Sequence, residues 1–223
     1  MLKLYSTLFI LFQIVVLNAQ HSVYGGFSRL KSFGDAKPYV GFNLGIEIPK
    51  DNENSFYLRT AFYLKNKLNS DQAVAVQNLV NIDPTDYSIM SVSGDTYFNY
   101  FTIDGGNRYY LLDGYDNGFA VYGGTSIMGI INKASVKLQE YDQSKYKLPV
   151  GSSLSGTLLN LGVGLNGGAK YTVAGVGSFF LDANMNYLLA SIPSNDLVRA
   201  VADLFVKSNV LFTFNFGFRK DFY

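Results

Sequence analysis

Toward the end of the chain phenylalanine recurs at every second position, at Phe212, Phe214, Phe216 and Phe218, with Thr213, Asn215 and Gly217 between. A period of two is the pattern of a β-strand with two unlike faces. Four other segments repeat it. YVGFNLGIEI sets Val40, Phe42, Leu44, Ile46 and Ile48 against Gly41, Asn43, Gly45 and Glu47. FYLRTAFYLK sets Phe56, Leu58, Phe62 and Leu64 against Tyr57, Arg59, Ala61 and Tyr63. LNLGVGLNGGAKY and FLDANMNYLL alternate in the same way. SVYGGF, YFNYFTIDGGNRYYLL and FAVYGGTSIMGII alternate more weakly, and together these segments predict eight strands.

The connections also alternate. PKDNENS (Pro49 to Ser55), DGYDNG (Asp113 to Gly118) and TVAGVG (Thr172 to Gly177) are short and rich in turn residues. Those over residues 67–94, 132–155 and 190–207 are long, and only the one around Lys31 to Lys37 is short. SVKLQEY (Ser135 to Tyr141) alternates enough to lengthen a strand into one of the long connections.

An apolar face can point into a soluble core or out into lipid. The charges decide between the two. Glu47, Arg59, Asp104, Arg108, Lys170, Asp182 and Arg219 all fall on the polar faces. Turned into a soluble core they would be costly, and a soluble barrel for an apolar ligand needs the opposite, an apolar interior. Facing a lumen just wide enough for side chains to fill, they can pair with one another. The predicted fold is therefore all-β: a closed antiparallel up-and-down transmembrane β-barrel of eight strands. Short turns lie at the periplasmic end and longer loops at the extracellular end. The seven charged residues are expected to form an ion-pair network in its lumen.

The first residues, MLKLYSTLFILFQIVVLNAQ, carry Lys3, an apolar run from Leu4 to Leu17 and a small residue at Ala19. This is the pattern of an export signal. It divides the chain into a signal peptide, 1–19, and a barrel domain, 20–223. Gln20 rather than cysteine follows the expected cut, so no lipid anchor is expected there. Further on, no run approaches the ~20 apolar residues of a spanning helix, so a mature chain in a membrane must cross as a closed barrel.

Composition narrows the chemistry. The 223 residues carry a net charge of +1, no cysteine and one histidine, His21. A nucleic-acid partner is not suggested, and thiolate or multi-histidine metal sites are excluded. No cofactor, metal or catalytic residue is expected. GVGLNG matches a dinucleotide-binding spacing at Gly162, Gly164 and Gly167, but strand and turn follow where that site needs a helix. Small residues facing a narrow lumen account for these glycines. Two stretches in the long loops have helical spacing. Ser70 to Asn81 follows cap candidates Ser70 and Asp71, and Ser194 to Lys207 carries Leu197, Val201, Leu204 and Phe205 as one apolar stripe. That stripe is expected either to rest on the barrel rim or to dock on a partner.

Taken together, the whole mature chain resembles a small bacterial outer-membrane β-barrel of the eight-stranded kind. NAQ at residues 18–20 resembles export signals of Bacteroidota. The final FGFRKDFY resembles the signal read by the outer-membrane assembly machinery, with Phe218, Phe222 and Tyr223 in that role. The resemblance implies location in the cell outer membrane, surrounding lipid, and the assembly machinery as a partner during insertion. It points to a protein partner in the outer membrane and to a structural or interaction subunit of a larger assembly, a secretion-related one included. A narrow pore for ions or small solutes stays open as the alternative.

Overall fold

The computed structural model describes residues 21–32, 38–78, 87–111, 118–138, 146–147, 155–194 and 209–222. Ten strands form one antiparallel sheet: β1 (His21–Ser32), β2 (Tyr39–Pro49), β3 (Asn54–Tyr63), β4 (Asn66–Asn78), β5 (Tyr87–Tyr110), β6 (Phe119–Leu138), β7 (Tyr146–Lys147), β8 (Ser155–Val173), β9 (Gly177–Pro193) and β10 (Val210–Phe222). Eight of them close a ring in the order β1-β2-β3-β5-β6-β8-β9-β10. β1 pairs with β10 at the seam, and β3 pairs with β5 across the point where β4 leaves. Closure leaves no sheet edge within the ring and pairs the backbone groups between strands.

The other two strands stand beyond the ring at its loop end. β4 runs back along the first half of β5, from Asn66 opposite Phe98 to Gln77 opposite Tyr87, and β7 adds two residues to the far side of β4. This overturns the helix expected over Ser70 to Asn81: its residues through Asn78 belong to β4. The physical reason is a partner strand. The tract AVAV is as compatible with a strand as with a helix, and pairing with β5 decides the matter. The stretch beyond Ser194 that carries Leu197, Val201, Leu204 and Phe205 lies outside the described residues, as do the first twenty residues and Tyr223. β6 continues to Leu138, so Ser135 to Leu138 does lengthen a strand.

At the opposite end the connections are tight. Asp51 Oδ1 accepts the backbone N–H of Glu53 at 2.9 Å and of Asn54 at 2.7 Å, which shapes the β2–β3 turn. The bond from Glu53 above all holds the exposed Asp51 carboxyl below the usual carboxylate range. β8 and β9 meet over residues 174–176, with Gly175 at φ 74°, a left-handed position that suits glycine.

The period of two translates directly into two sides of the wall. Phe27, Phe42, Phe62 and Phe214 are each at least half exposed on the outside, while their neighbours Ser28, Asn43, Ala61 and Thr213 are buried inside. The lumen has two levels. Near the turn end it holds the charged residues. Near the loop end it holds an apolar plug that includes Leu30, Tyr63, Phe98, Met128, Ile130 and Leu211, each at most 1% exposed. Tyr39 and Tyr100 meet edge to face in the same plug, with ring centroids 4.5 Å apart. Several inward glycines are the space that larger side chains use. A Cβ on Gly45 would lie 2.4 Å from the Tyr24 ring, and one on Gly168 would lie 2.7 Å from the Tyr122 hydroxyl.

Two glycines three residues apart on β8 test the assignment of faces. A Cβ on Gly164 would meet the Met185 carbonyl at 2.4 Å, whereas on Gly167 its nearest neighbour would be 3.6 Å away. Gly164→Ala should lower the urea midpoint of the barrel refolded in lipid vesicles. Gly167→Ala should leave it unchanged or raise stability by about 0.5–1 kcal/mol. Equal losses in both variants would contradict the placement of the two faces.

Candidate functional site

The seven charged residues singled out in the sequence all lie inside the ring at its turn end, each at most 4% exposed. Each reaches the lumen because its strand is in register for it: Arg59 and Asp104 stand opposite one another on β3 and β5. The Arg59 guanidinium grips Asp104 with two bonds, Nε to Oδ1 at 3.0 Å and Nη2 to Oδ2 at 2.8 Å. Its Nη1 reaches across the lumen to Asp182 Oδ1 of β9 at 2.8 Å. Arg108 of β5 donates to the other oxygen of Asp182 at 2.8 Å and to Glu47 Oε2 of β2 at 2.6 Å. Arg219 of β10 lies 3.5 Å from the same Glu47 oxygen and 2.9 Å from Asp221 Oδ1.

The result is one chain of alternating charge, Asp104–Arg59–Asp182–Arg108–Glu47–Arg219–Asp221, that ties β2, β3, β5, β9 and β10 together. Asp221 was not foreseen. It continues the inward face of β10 two residues after Arg219, so the same period of two marks it. With it, the inward set holds four carboxylates and four basic groups.

Neutral groups complete the lumen. The Arg108 guanidinium lies over three tyrosine rings, 4.4 Å from Tyr57, 4.7 Å from Tyr122 and 5.4 Å from Tyr24. Lys170 sits 4.6 Å from the Tyr110 ring, and Tyr110 donates its hydroxyl proton to Glu47. Ser55 donates to Glu47 as well, and the Asn215 amide donates to Asp182 at 2.7 Å. Asn166 acts on the wall itself. The β5–β6 ladder breaks between Gly106 and Tyr109, and the Asn166 amide donates to the carbonyls of Asn107 and Thr125 beside the break, at 3.2 and 3.1 Å.

Chemically, the arrangement neutralises charge out of contact with water. Glu47, Asp104 and Asp182 each accept at least one guanidinium bond. Among the described residues, no group of three or more His, Cys, Asp or Glu is placed to hold a metal ion. His21 is at the turn end of β1, stacked on Phe222 with centroids 5.3 Å apart. Phe218 packs edge to face on Phe179 of β9, on the outer wall. The glycine-rich GVGLNG lies inside strand β8. Gly164 faces the lumen beneath Asn186, while Gly167 faces outward, a correction to the reading of all three glycines as lumen residues.

No family model matches this sequence, and no curated protein does. Solved structures do. A major outer membrane protein from Thermus thermophilus superposes with a TM-score of 0.52 at 13% identity, over 92% of this chain and 100% of that one. OprG from Pseudomonas aeruginosa gives 0.49 at 13% identity, over 92% of this chain and 96% of that one. Neisserial surface protein A gives 0.48 at 14% identity, over 91% and 96%. The fold is that of a closed eight-stranded bacterial outer-membrane β-barrel. Its exposed apolar wall needs lipid, and for this fold that lipid is the cell outer membrane.

Removing one partner from a buried charge pair leaves the other uncompensated, at a cost of about 3–5 kcal/mol. Asp182→Ala removes the carboxylate that Arg59 and Arg108 share and leaves the network one positive charge in excess, so refolding in vesicles should show a loss of that order. Lys50→Ala, on an exposed turn, should leave the midpoint unchanged. A loss near zero for Asp182→Ala would mean that water enters the lumen and screens the pair.

Proposed function

We propose that this chain is a sealed outer-membrane barrel that works through the part standing outside the membrane, as a structural and interaction subunit of a larger outer-membrane assembly. A secretion apparatus is one assembly of that kind, and a Bacteroidota source is part of the same proposal. The observation that carries this reading is the filled lumen. A neutralised chain of charges occupies the turn end and an apolar plug the loop end, so a solute would have to displace both. Nothing in that arrangement serves catalysis, and the reading is a non-enzymatic one. Meanwhile β4, β5 and β6 continue as a sheet beyond the ring, where a second protein can reach them.

In the same proposal residues 1–19 are removed on export, and Phe218, Phe222 and Tyr223 are read by the assembly machinery. The alternative, a narrow pore, needs a continuous water path past both levels of the lumen.

Two measurements on one pair of proteins separate the readings. The intact barrel in planar bilayers should show no reproducible conductance steps; steady steps would favour the pore. In cells, residues 69–92 replaced by a short Gly-Ser turn should leave a heat-modifiable, membrane-inserted barrel. A protein that crosslinks to the intact chain should no longer do so. A crosslinked partner that stays with the shortened barrel would contradict a role for the β4–β5 hairpin.

A further inference from the structure

The border between the apolar wall and the loop end is strongly basic on one side of the barrel. Phe101 of β5 and Ile131 of β6 are paired and form the last apolar step of the outer wall there. Directly above them the outward positions are Asn99 opposite Lys133, Tyr97 opposite Ser135, and Asp95 opposite Lys137. From the other side of β5, Leu64 is the last apolar residue before Lys65, and Lys67 stands opposite Tyr97. Lysines from two sides thus converge on one ring: Lys65 Nζ is 4.4 Å and Lys137 Nζ 5.8 Å from the centroid of Tyr97. Lys67 is engaged with Asp95 at 2.7 Å.

On β1 the sequence of events is the same. Phe27 is 59% exposed on the wall, and the next outward residues, Arg29 and Lys31, are exposed too. Among the described residues, this border carries six basic groups and one carboxylate, Asp95, which Lys67 already neutralises. Among the described residues the border is uncharged over β8, β9 and β10, where Thr157, Ile192 and Val210 take the corresponding outward places. At the turn end, by contrast, the exposed charges are mixed: Lys50, Asp51 and Glu53 share one turn.

We propose that this arc, centred on Lys65, Lys133 and Lys137 around Tyr97, binds the phosphate head group of anionic lipid in the outer leaflet. Height gives the reason. Acyl chains cover the apolar band that ends at Phe101, Ile131 and Leu64. The first group above them on a lipid is its head group, and the protein presents ammonium groups at that level. Lysine suits the place because its aliphatic stem lies along the wall while the charge reaches the interface. A basic cluster at a membrane border is attracted to anionic lipid. Because among the described residues the arc covers one side only, bound lipid would give the barrel a defined orientation relative to its lipid neighbours. This inference stands on the wall and its border, and does not depend on the barrel having a protein partner.

Native mass spectrometry of the detergent-solubilised barrel tests it, with bis-phosphorylated lipid A and enzymatically dephosphorylated lipid A as the two probes. The intact protein should retain the phosphorylated form over the other by about tenfold or more. The Lys65→Gln, Lys133→Gln, Lys137→Gln triple variant should lose most of that preference, and the matching triple arginine variant should keep it. These side chains are exposed, so heat-modifiable mobility should report a folded barrel in every case. Equal retention of both lipids by the intact protein would overturn the proposal, as would an unchanged preference in the glutamine variant. Displacement of the lipid by inorganic phosphate at similar concentration would also overturn it, since the site would then take free phosphate.

Discussion

Every charge that this wall turns inward has to be neutralised inside, because the wall's other face is given to lipid and the lumen is closed to water. That constraint organises the structure. Asp104, Arg59, Asp182, Arg108, Glu47, Arg219 and Asp221 answer it by alternating along one line that crosses the lumen twice, from β5 to β9 and back to β2 and β10. A buried pair of this kind is a poor source of net stability compared with apolar packing, but a costly thing to break. Its consequence is specificity. A strand shifted by one residue would turn its phenylalanines into the lumen and its arginines into lipid.

The plug at the loop end solves a different problem. Beyond the charged level, the interior positions are filled by Leu30, Met128, Ile130, Leu158 and Leu211 with tyrosine and phenylalanine rings among them. The barrel is therefore inside-out only in part: lipid-facing everywhere outside, ionic at one end within and hydrophobic at the other. Buried Asn132 and Asn160 stand among these apolar residues, and side chains fill the lumen at both levels. Glycine is needed beneath Tyr24 and Tyr122, whose hydroxyl ends lie over Gly45 and Gly168.

Much of this could be read from the sequence, for a clear physical reason. Strands with unlike faces, such as the one carrying Phe212 to Phe218, fix their own inside and outside through the period of two. The same parity assigned Glu47 and Arg59 to the lumen and would have assigned Asp221. What could not be read falls into two kinds. The plug lies where strands are apolar on both faces, as in Ile127-Met128-Gly129-Ile130-Ile131, and there alternation fades because core and lipid ask for the same residues. The β4 strand lies where a helical and an extended pattern coexist in Ser70 to Asn78, and only its long-range pairing with β5 separates them. Partners of the charges across the ring, such as Arg59 with Asp182, depend on strand stagger, which no local pattern carries.

The central claim is a lipid-facing wall around a lumen closed to water, and the absence of cysteine makes it directly measurable. Single cysteines placed in turn at residues 211 to 218 of β10, spin-labelled in lipid nanodiscs, can be compared for access to molecular oxygen, which concentrates in lipid, and to a water-soluble nickel chelate. Positions 212, 214, 216 and 218 should be open to oxygen and closed to nickel, and positions 211, 213, 215 and 217 should be closed to both. Nickel access at the odd positions would mean an open, water-filled lumen, and loss of the alternation would mean that this strand does not form the wall.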